Sequence, residues 1–146
     1  MFKHILVPTD GSVLSQNAVR AAVQLAKECG ARITGFYAKP ESHAYITEGL
    51  RIDEMLWAKA AEHDAAEAKR ALDFIVEACQ SAGVACAAIA GASDFPFEAI
   101  IDTAHEQGCD LIFMASHGRS GLGALLLGSE THKVLTHSKI PVLVYR

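Results

Sequence analysis

The sequence predicts an α/β protein: a single three-layer, doubly wound domain over residues 1–146, with a five-stranded parallel sheet in the order 3-2-1-4-5. Three observations lead to this prediction. Short apolar runs alternate with helical patterns along the whole chain, and the runs are apolar at nearly every position, as in strands buried on both faces. Right-handed crossovers then place helices on both sides of the sheet. A chain of 146 residues, 51% of them hydrophobic, suits one core.

The first half of the chain contains two apolar runs and two helical patterns. Turn residues follow the first run, Gly30 ends the first helical pattern, and Pro40 closes the second run. An Ala-rich segment then predicts a helix longer than a simple crossover needs. We predict strand 1 at 4–8, helix 1 at 14–29, strand 2 at 31–38, a loop or lid at 40–52, and helix 2 at 53–82.

The second half continues the alternation, with three apolar runs and two helical patterns. Gly83 ends the long helix, and Pro96 lies in the first turn of the next, with Asp94 as its expected cap. Gly108 ends that helix. We predict strand 3 at 84–90, helix 3 up to residue 107, strand 4 at 110–115, helix 4 at 129–137, and strand 5 at 140–145.

The glycine-rich segment 115–129 is the most informative part of the chain. Its four glycines, at positions 118, 121, 123 and 128, let backbone N–H groups approach an anion without obstruction by a Cβ atom. Ser129 adds a hydroxyl at a helix N-terminus, and Arg119 adds a positive charge. An ordinary flexible connection is the alternative. We favour a phosphate-binding loop because loops of this length are usually functional or disordered, and its leucines argue against disorder.

The strand order places Asp10 and the glycine loop at one crevice, because strand 1 and strand 4 are neighbours where the order reverses. The Asp10 carboxylate is suited to a ribose hydroxyl or an adenine amino group, and the loop to phosphates. Asp10 is equally well explained as a turn residue. His117 is more simply a solvated or core histidine than a phosphate donor, and Glu130 is expected to point away from a phosphate.

Composition argues against several classes of partner. The net charge of −4 and the absence of basic blocks disfavour nucleic acid. No apolar run approaches a membrane span, and the N-terminal residues do not resemble an export signal, so we expect a soluble, cytoplasmic protein.

The four cysteines form no CxxC pair and are interpreted as reduced structural thiols. The dispersed histidines give no metal site from protein ligands alone.

Enzyme signatures are also missing from the sequence. The Walker pattern, the G-x-G-x-x-G dinucleotide fingerprint and the G-x-S-x-G nucleophile elbow are all absent. The loop has no lysine for the β- and γ-phosphates, and no second acidic residue beside strand 4 is evident for magnesium. These absences favour binding over turnover.

The chain resembles the universal stress protein family over nearly its whole length, from Lys3-His4-Ile5-Leu6-Val7-Pro8-Thr9-Asp10-Gly11-Ser12 to Pro141-Val142-Leu143-Val144. The ATP-binding branch of that family carries Gly, two residues, Gly, nine residues, and Gly followed by Ser or Thr. That pattern falls on Ala115, Gly118, Gly128 and Ser129. Ala115 departs from it, and we expect its methyl group to weaken nucleotide binding without abolishing it.

The resemblance implies an adenine nucleotide alpha hydrolase-like fold, ATP as cofactor with Mg²⁺ as a further candidate, and a homodimer through strand 141–145. It implies that Asp10 contacts the ribose or adenine side, that backbone near Ala38 lines the adenine pocket, and that Gly118, Gly128 and Ser129 hold phosphates. The predicted nucleotide-binding residues are Pro8, Thr9, Asp10, Ala38, Ala115, His117, Gly118, Arg119, Gly128, Ser129, Glu130 and Thr131.

Several functional hypotheses remain open from the sequence. The leading one is an ATP-binding regulatory protein of the stress response whose nucleotide biases the loop and segment 40–52 toward one conformation. A slow ATPase acting as a timer is the enzyme alternative. A phosphoacceptor receiver domain is a third alternative. It needs a cluster of acidic residues at the end of strand 1, and this sequence has only Asp10 there. A nucleotide-free dimeric scaffold is favoured by the departure at Ala115.

Overall fold

The structure is a computed structural model that describes residues 1–39, 54–119 and 126–146. Over these residues, five parallel strands form one sheet in the order β3-β2-β1-β4-β5, which confirms the predicted fold. The elements are β1 His4–Pro8, α1 Val13–Cys29, β2 Arg32–Lys39, α2 Glu54–Ala82, β3 Cys86–Ala92, α3 Pro96–Glu106, β4 Leu111–Ala115, α4 Ser129–His137 and β5 Val142–Tyr145. The predicted lid at 40–52, Asp53, Gly121 and Gly123 lie outside the described residues.

Two predicted strands begin two residues later than expected because their first residues close turns, and β2 and β4 begin one residue later. Val84 donates its N–H to the Cys79 carbonyl at 2.9 Å, which completes the end of α2, so β3 starts at Cys86 and not at Val84. Ile140 donates its N–H to the Ser138 hydroxyl at 3.1 Å, so β5 starts at Val142.

The predicted cap of α3 is wrong. The residue in the cap position is Phe95, not Asp94, and its side chain makes no capping hydrogen bond. Instead the N–H of Phe97 donates to the Glu130 carboxylate at 3.0 Å, a residue 33 positions later in the chain. The orphan N–H groups of a helix start donate to any well-placed oxygen, and here that oxygen belongs to a side chain of α4.

Alternate residues of each strand pack into two separate core layers. Ile5 and Val7 of β1 face the layer of α1 and α2, and Leu6 faces the layer of α3 and α4. Helix α1 presents buried residues at helical spacing, is capped by the Ser12 hydroxyl, and ends at Gly30 with a left-handed φ of 63°. Both faces of the sheet are therefore covered, as continuous apolar strands require.

Helix α2 is longer than the sheet it covers. Its buried residues begin at Ala68, and Met55 and Leu56 in its first turn are 65% and 60% exposed. At about 1.5 Å per residue, 29 residues extend about 43 Å. The first half therefore projects beyond the carboxyl ends of the strands and brings Glu67 to the loop that follows β4. Nowhere in 1–39, 54–119 or 126–146 does a helix meet the length and apolarity needed to cross a bilayer.

Candidate functional site

A cavity of about 580 Å³ opens at the carboxyl ends of β1, β2 and β4, where the strand order reverses. Residues from the ends of these three strands, the loop after β4 and the first turn of α4 line it. All twelve residues predicted from the sequence lie on its wall: Pro8, Thr9, Asp10, Ala38, Ala115, His117, Gly118, Arg119, Gly128, Ser129, Glu130 and Thr131. Four segments distant in the sequence therefore meet at one place.

The Asp10 carboxylate joins the end of β1 to the loop after β4. One oxygen accepts from the Ser12 N–H at 2.9 Å and the Ser15 hydroxyl at 2.7 Å, and the other accepts from the Arg119 N–H at 2.7 Å. Burial acts to raise the pKa of Asp10, but hydrogen bonds from Ser12, Ser15 and Arg119 outweigh it, and the pKa is lowered. Asp10 is thus both a turn residue, as the simpler interpretation held, and a fixed negative charge on the cavity wall.

We expect Asp10 to make stability depend on pH in acid. The pKa of Asp10 in the folded protein lies below its unfolded value of about 3.9. The stability that the ionised carboxylate contributes is therefore present above about pH 3.9 and is lost as the pH falls through the folded pKa. The difference in unfolding free energy between wild type and Asp10→Asn, measured by urea denaturation, should therefore shrink from pH 6 toward about pH 3.

Asp102→Asn is the matched control, since Asp102 is exposed on α3. The unfolding free energy of Asp102→Asn should differ little from that of the wild type across the same pH range. A difference for Asp10→Asn that is constant with pH would show that the carboxylate charge contributes nothing to folding.

Gly118 and Gly128 permit close backbone approach. A Cβ atom on Gly118 would lie 2.4 Å from an Asp10 carboxylate oxygen, and one on Gly128 would lie 3.3 Å from the Ser116 carbonyl oxygen. The Gly128 N–H donates to that carbonyl at 2.9 Å. Neither glycine has a positive φ, so limited space and not backbone freedom favours glycine, strongly at Gly118 and less so at Gly128.

Arg119 is held by an ion pair with α2. Its guanidinium contacts the Glu67 carboxylate, which also contacts Arg70. Its backbone N–H is used by Asp10. The side chain expected to reach a phosphate is therefore engaged in an ion pair across the cavity rim, and a phosphate would have to compete with Glu67 for it.

His117 is buried on the cavity wall. Its Nδ1 atom lies 3.0 Å from the Ser116 hydroxyl, and its Nε2 atom has no hydrogen-bond partner within the described segments. Gly128 packs over its Cα atom. His117 is therefore a buried residue, and its Nε2 atom is left without a hydrogen-bond partner among the described residues.

The first turn of α4 forms another part of the cavity wall. Helix α4 begins at Ser129, and the first N–H groups of a helix have no intrahelical acceptor. The Thr131 hydroxyl donates to the Ala115 carbonyl at 3.1 Å, which fixes this helix start to the end of β4. The Glu130 carboxylate accepts from the Phe97 N–H at 3.0 Å and from Lys133 at 2.9 Å. Both contacts draw Glu130 toward α3 and its own helix.

The apolar wall of the cavity was missed by sequence reasoning. Its members are Phe36, Pro96, Ile100, Met114, Leu126 and Leu127, and the polar Ser15 beside Asp10 is a further lining residue that was not predicted. Two signals were available: Phe36 lies two residues before Ala38, on the same face of its strand, and Pro96 and Ile100 lie one helical turn apart. Across the described segments, no group of three or more His, Cys, Asp or Glu side chains is arranged to hold a metal ion.

The profile of the universal stress protein family matches residues 1–146. The chain belongs to the universal stress protein family. It is 34% identical to the universal stress protein YxiE of Bacillus subtilis over 149 residues, covering the whole of both chains. This confirms the resemblance predicted from the β1 segment and the glycine loop.

Solved structures of universal stress proteins share the fold. The protein MJ0577 of Methanocaldococcus jannaschii superposes with a TM-score of 0.81 at 27% identity, covering 99% of this chain and 95% of its own. A universal stress protein solved in complex with cAMP superposes with a TM-score of 0.73 at 25% identity, covering 99% of this chain and 97% of its own. The fold of these universal stress proteins therefore extends over nearly all of the present chain.

Proposed function

We propose that this universal stress protein binds an adenine nucleotide in the cavity between β1 and β4, with ATP as the ligand, and acts as a regulatory module of the stress response. The observation that carries the proposal is the convergence of twelve predicted residues, from four separate segments, on one cavity of about 580 Å³. That volume lies within the usual range of small-molecule sites, about 300–1,000 Å³. The cAMP complex of a related universal stress protein supports the same class of ligand.

The cavity has an apolar end suited to the base. Phe36, Ile100 and Met114 line it and belong to the core layer of α3 and α4. Ala38, near the end of β2, adds a small side chain with backbone groups beside it. A flat heteroaromatic base packs against such a wall and hydrogen bonds to the neighbouring backbone.

The start of α4 is suited to phosphates. The orphan N–H groups at the start of α4 and the partial positive charge of that helix end attract anions. The Ser129 hydroxyl makes no hydrogen bond to any described residue, so it is available as a donor. With no cluster of protein ligands for a metal among the described residues, a Mg²⁺ ion would be held chiefly by the phosphate oxygens themselves.

Calorimetric titration of ATP, with and without Mg²⁺, tests the proposal. Wild type should bind saturably, and Ser129→Ala should bind at least about tenfold more weakly, since a hydrogen bond to a charged group contributes about 1.5–3 kcal/mol. Ser81→Ala is the matched control, because Ser81 is exposed near the end of α2, away from the lining residues.

Absence of heat together with absence of a thermal shift in millimolar ATP or AMP would refute nucleotide binding. The dimeric scaffold would then be the better account. Equal affinity of the wild type and Ser129→Ala would instead place the phosphates elsewhere in the cavity.

We further propose that the protein is cytoplasmic and forms a homodimer through residues 141–145. Strand β5 lies at one edge of the sheet and pairs only with β4 within the described residues. Its side chains are half-buried or exposed, and Tyr145 is 39% exposed. A second copy of the same strand would cover this apolar edge, which is otherwise a template for unwanted pairing.

A further inference from the structure

Strand β3 forms the edge of the sheet opposite β5 and pairs only with β2 within the described residues. It is seven residues long, and all four of its alanines are exposed: Ala87, Ala88, Ala90 and Ala92. Ile89 is its only large side chain and is partly buried against the core layer of α3 and α4. The sheet therefore ends in a long, smooth strand.

The β3 edge lacks the residues that usually prevent a sheet from pairing with another chain. Sheet edges are commonly blocked by charged side chains, by proline or by a bulge. Residues 84–93 contain no charged residue and no proline. The register with β2 runs without interruption from Cys86 to Ala92, so β3 has no bulge toward β2. An edge of this kind is suited to accept a further strand.

The hydrogen bonds to β2 show which backbone groups of β3 face outward. Before the strand, the Ala85 carbonyl accepts from the Ile33 N–H at 2.9 Å. After it, the Ser93 N–H donates to the Lys39 carbonyl at 2.8 Å. Backbone groups of alternate residues face the same neighbouring strand, so the odd-numbered residues of β3 face β2. The N–H and C=O groups that face away from the sheet are those of Cys86, Ala88, Ala90 and Ala92.

We propose that β3 is a self-pairing edge, to which a second copy of this chain adds its own β3 in antiparallel orientation about a two-fold axis at Ile89. The outward-facing residues lie symmetrically about that axis, so each faces an outward-facing residue of the other copy and the pairs exchange about eight hydrogen bonds. No residue of β3 lines the nucleotide cavity, and β5 lies at the other edge. The proposal therefore rests neither on nucleotide binding nor on the β5 dimer.

The side chains of β3 fit a second copy of the same strand. On the face covered by α2, Ala88 of each copy lies opposite Ala90 of the other, so no bulky or charged groups meet. On the other face the two Ile89 side chains meet at the axis. Ile89 faces β2 with its backbone, so this is a non-hydrogen-bonded pair, in which the Cα atoms approach to about 4.5 Å. The pairing thus covers the one large apolar side chain of the strand.

Helix α2 leaves room for a second copy. At Ile75 the helix lies over Gly35 of β2, one strand in from the edge, where a Cβ atom would lie 2.9 Å from the Ile75 Cδ1 atom. A two-fold axis perpendicular to the sheet places both α2 helices on the same face, three strand spacings or about 14 Å apart. Packed helices need only about 8–10 Å between their axes. The two copies therefore approach without a clash between these helices.

Amide hydrogen exchange, followed residue by residue by NMR at micromolar and at millimolar protein, tests the proposal. The N–H groups of Ala88 and Ala90 should be at least about tenfold better protected at the higher concentration and should lose this protection on dilution. Those of Ile89 and Gly91 face β2 and should be equally protected at both concentrations. Pairing at β5 does not produce this pattern, because β5 lies at the other edge of the sheet.

Two results of this measurement would overturn self-pairing. Rapid exchange of Ala88 and Ala90 at millimolar protein would show that copies of the chain do not pair here, and would leave the edge to an extended segment of a different protein. Protection that does not change with concentration would show that the chain covers its own edge.

Paired charges test the antiparallel register. Ala88→Lys/Ala90→Lys places like charges opposite each other across the axis, whereas Ala88→Lys/Ala90→Glu places opposite charges there. The first variant should need at least about tenfold more protein than the second to protect the amides of residues 88 and 90. Two lysines bring the net charge of −4 closer to zero, so general repulsion between copies acts in the other direction.

The amides of Ile89 and Gly91 report whether each charge variant folds, since their protection depends on β2. With both variants folded, an equal dependence on concentration would overturn the antiparallel pairing of β3.

Discussion

Gly118→Ala is expected to lower the affinity for ATP about 100-fold while leaving the fold intact. The added Cβ atom would lie 2.4 Å from the Asp10 carboxylate oxygen that accepts from the Arg119 N–H. Either the carboxylate or the loop must move, which breaks that hydrogen bond and displaces the backbone expected to hold phosphate. A 100-fold loss is about 2.8 kcal/mol, which lies within the range of about 1.5–3 kcal/mol for one hydrogen bond to a charged group. Calorimetric titration measures it, and circular dichroism checks the fold.

Gly30→Ala is the matched control for this substitution. Gly30 ends α1 with a φ of 63°, and a Cβ atom there meets nothing within 4 Å. Alanine in that backbone conformation costs about 1–2 kcal/mol of stability without touching the cavity. Gly30→Ala should therefore be less stable than wild type and bind ATP equally well. If Gly118→Ala also bound like wild type, the contact between Asp10 and Arg119 would have no part in the nucleotide site.

Ile75→Ala is expected to lower the unfolding free energy by about 2–5 kcal/mol, a large share of a typical total of about 5–15 kcal/mol. Ile75 is 0% exposed on α2 and fits over Gly35 of β2, where a Cβ atom would lie 2.9 Å from the Ile75 Cδ1 atom. Removing the Ile75 side chain leaves a cavity above Gly35, which has no side chain to fill it. Urea denaturation provides the measurement, with Leu56→Ala, 60% exposed on the same helix, as the control near zero.

A double variant tests whether Ile75 and Gly35 fit as a pair. Gly35→Ala alone overpacks the same contact and should cost about 1–3 kcal/mol. In Gly35→Ala/Ile75→Ala the new methyl group occupies part of the space that the isoleucine leaves. The double variant should therefore be more stable than the sum of the single effects predicts, by about 0.5–3 kcal/mol. Strict additivity would show that the two positions do not share this contact.

Most of the fold was predictable because its signals are local. Strands buried on both faces must be apolar at successive positions, and the glycines after α1 and α2 mark helix ends that need a left-handed residue. Alternation of strand and helix, with right-handed crossovers, then leaves few topologies. The errors at β3 and β5 arose where an apolar residue, Val84 or Ile140, belongs to a turn and not to a strand.

The location of the candidate site was predictable for a different reason. In a doubly wound sheet, ligands bind where the strand order reverses, which here is beyond the carboxyl ends of β1 and β4. Asp10 follows β1 and the glycine loop follows β4, so both are placed at that point once the strands are known. The contacts within the site did not follow. Arg119 pairs with Glu67, and Glu130 contacts the start of α3, because helices remote in sequence meet at the cavity rim.

Local residue patterns were enough to predict the class of fold, the family and the segments that surround the cavity. The partners of individual residues emerged only once the helices were packed on the sheet. That packing joins Asp10 to Arg119, pairs Arg119 with Glu67, and places Ile75 over Gly35. These contacts depend on how helices lie across the sheet, and packing geometry of that kind leaves no periodic trace in the chain.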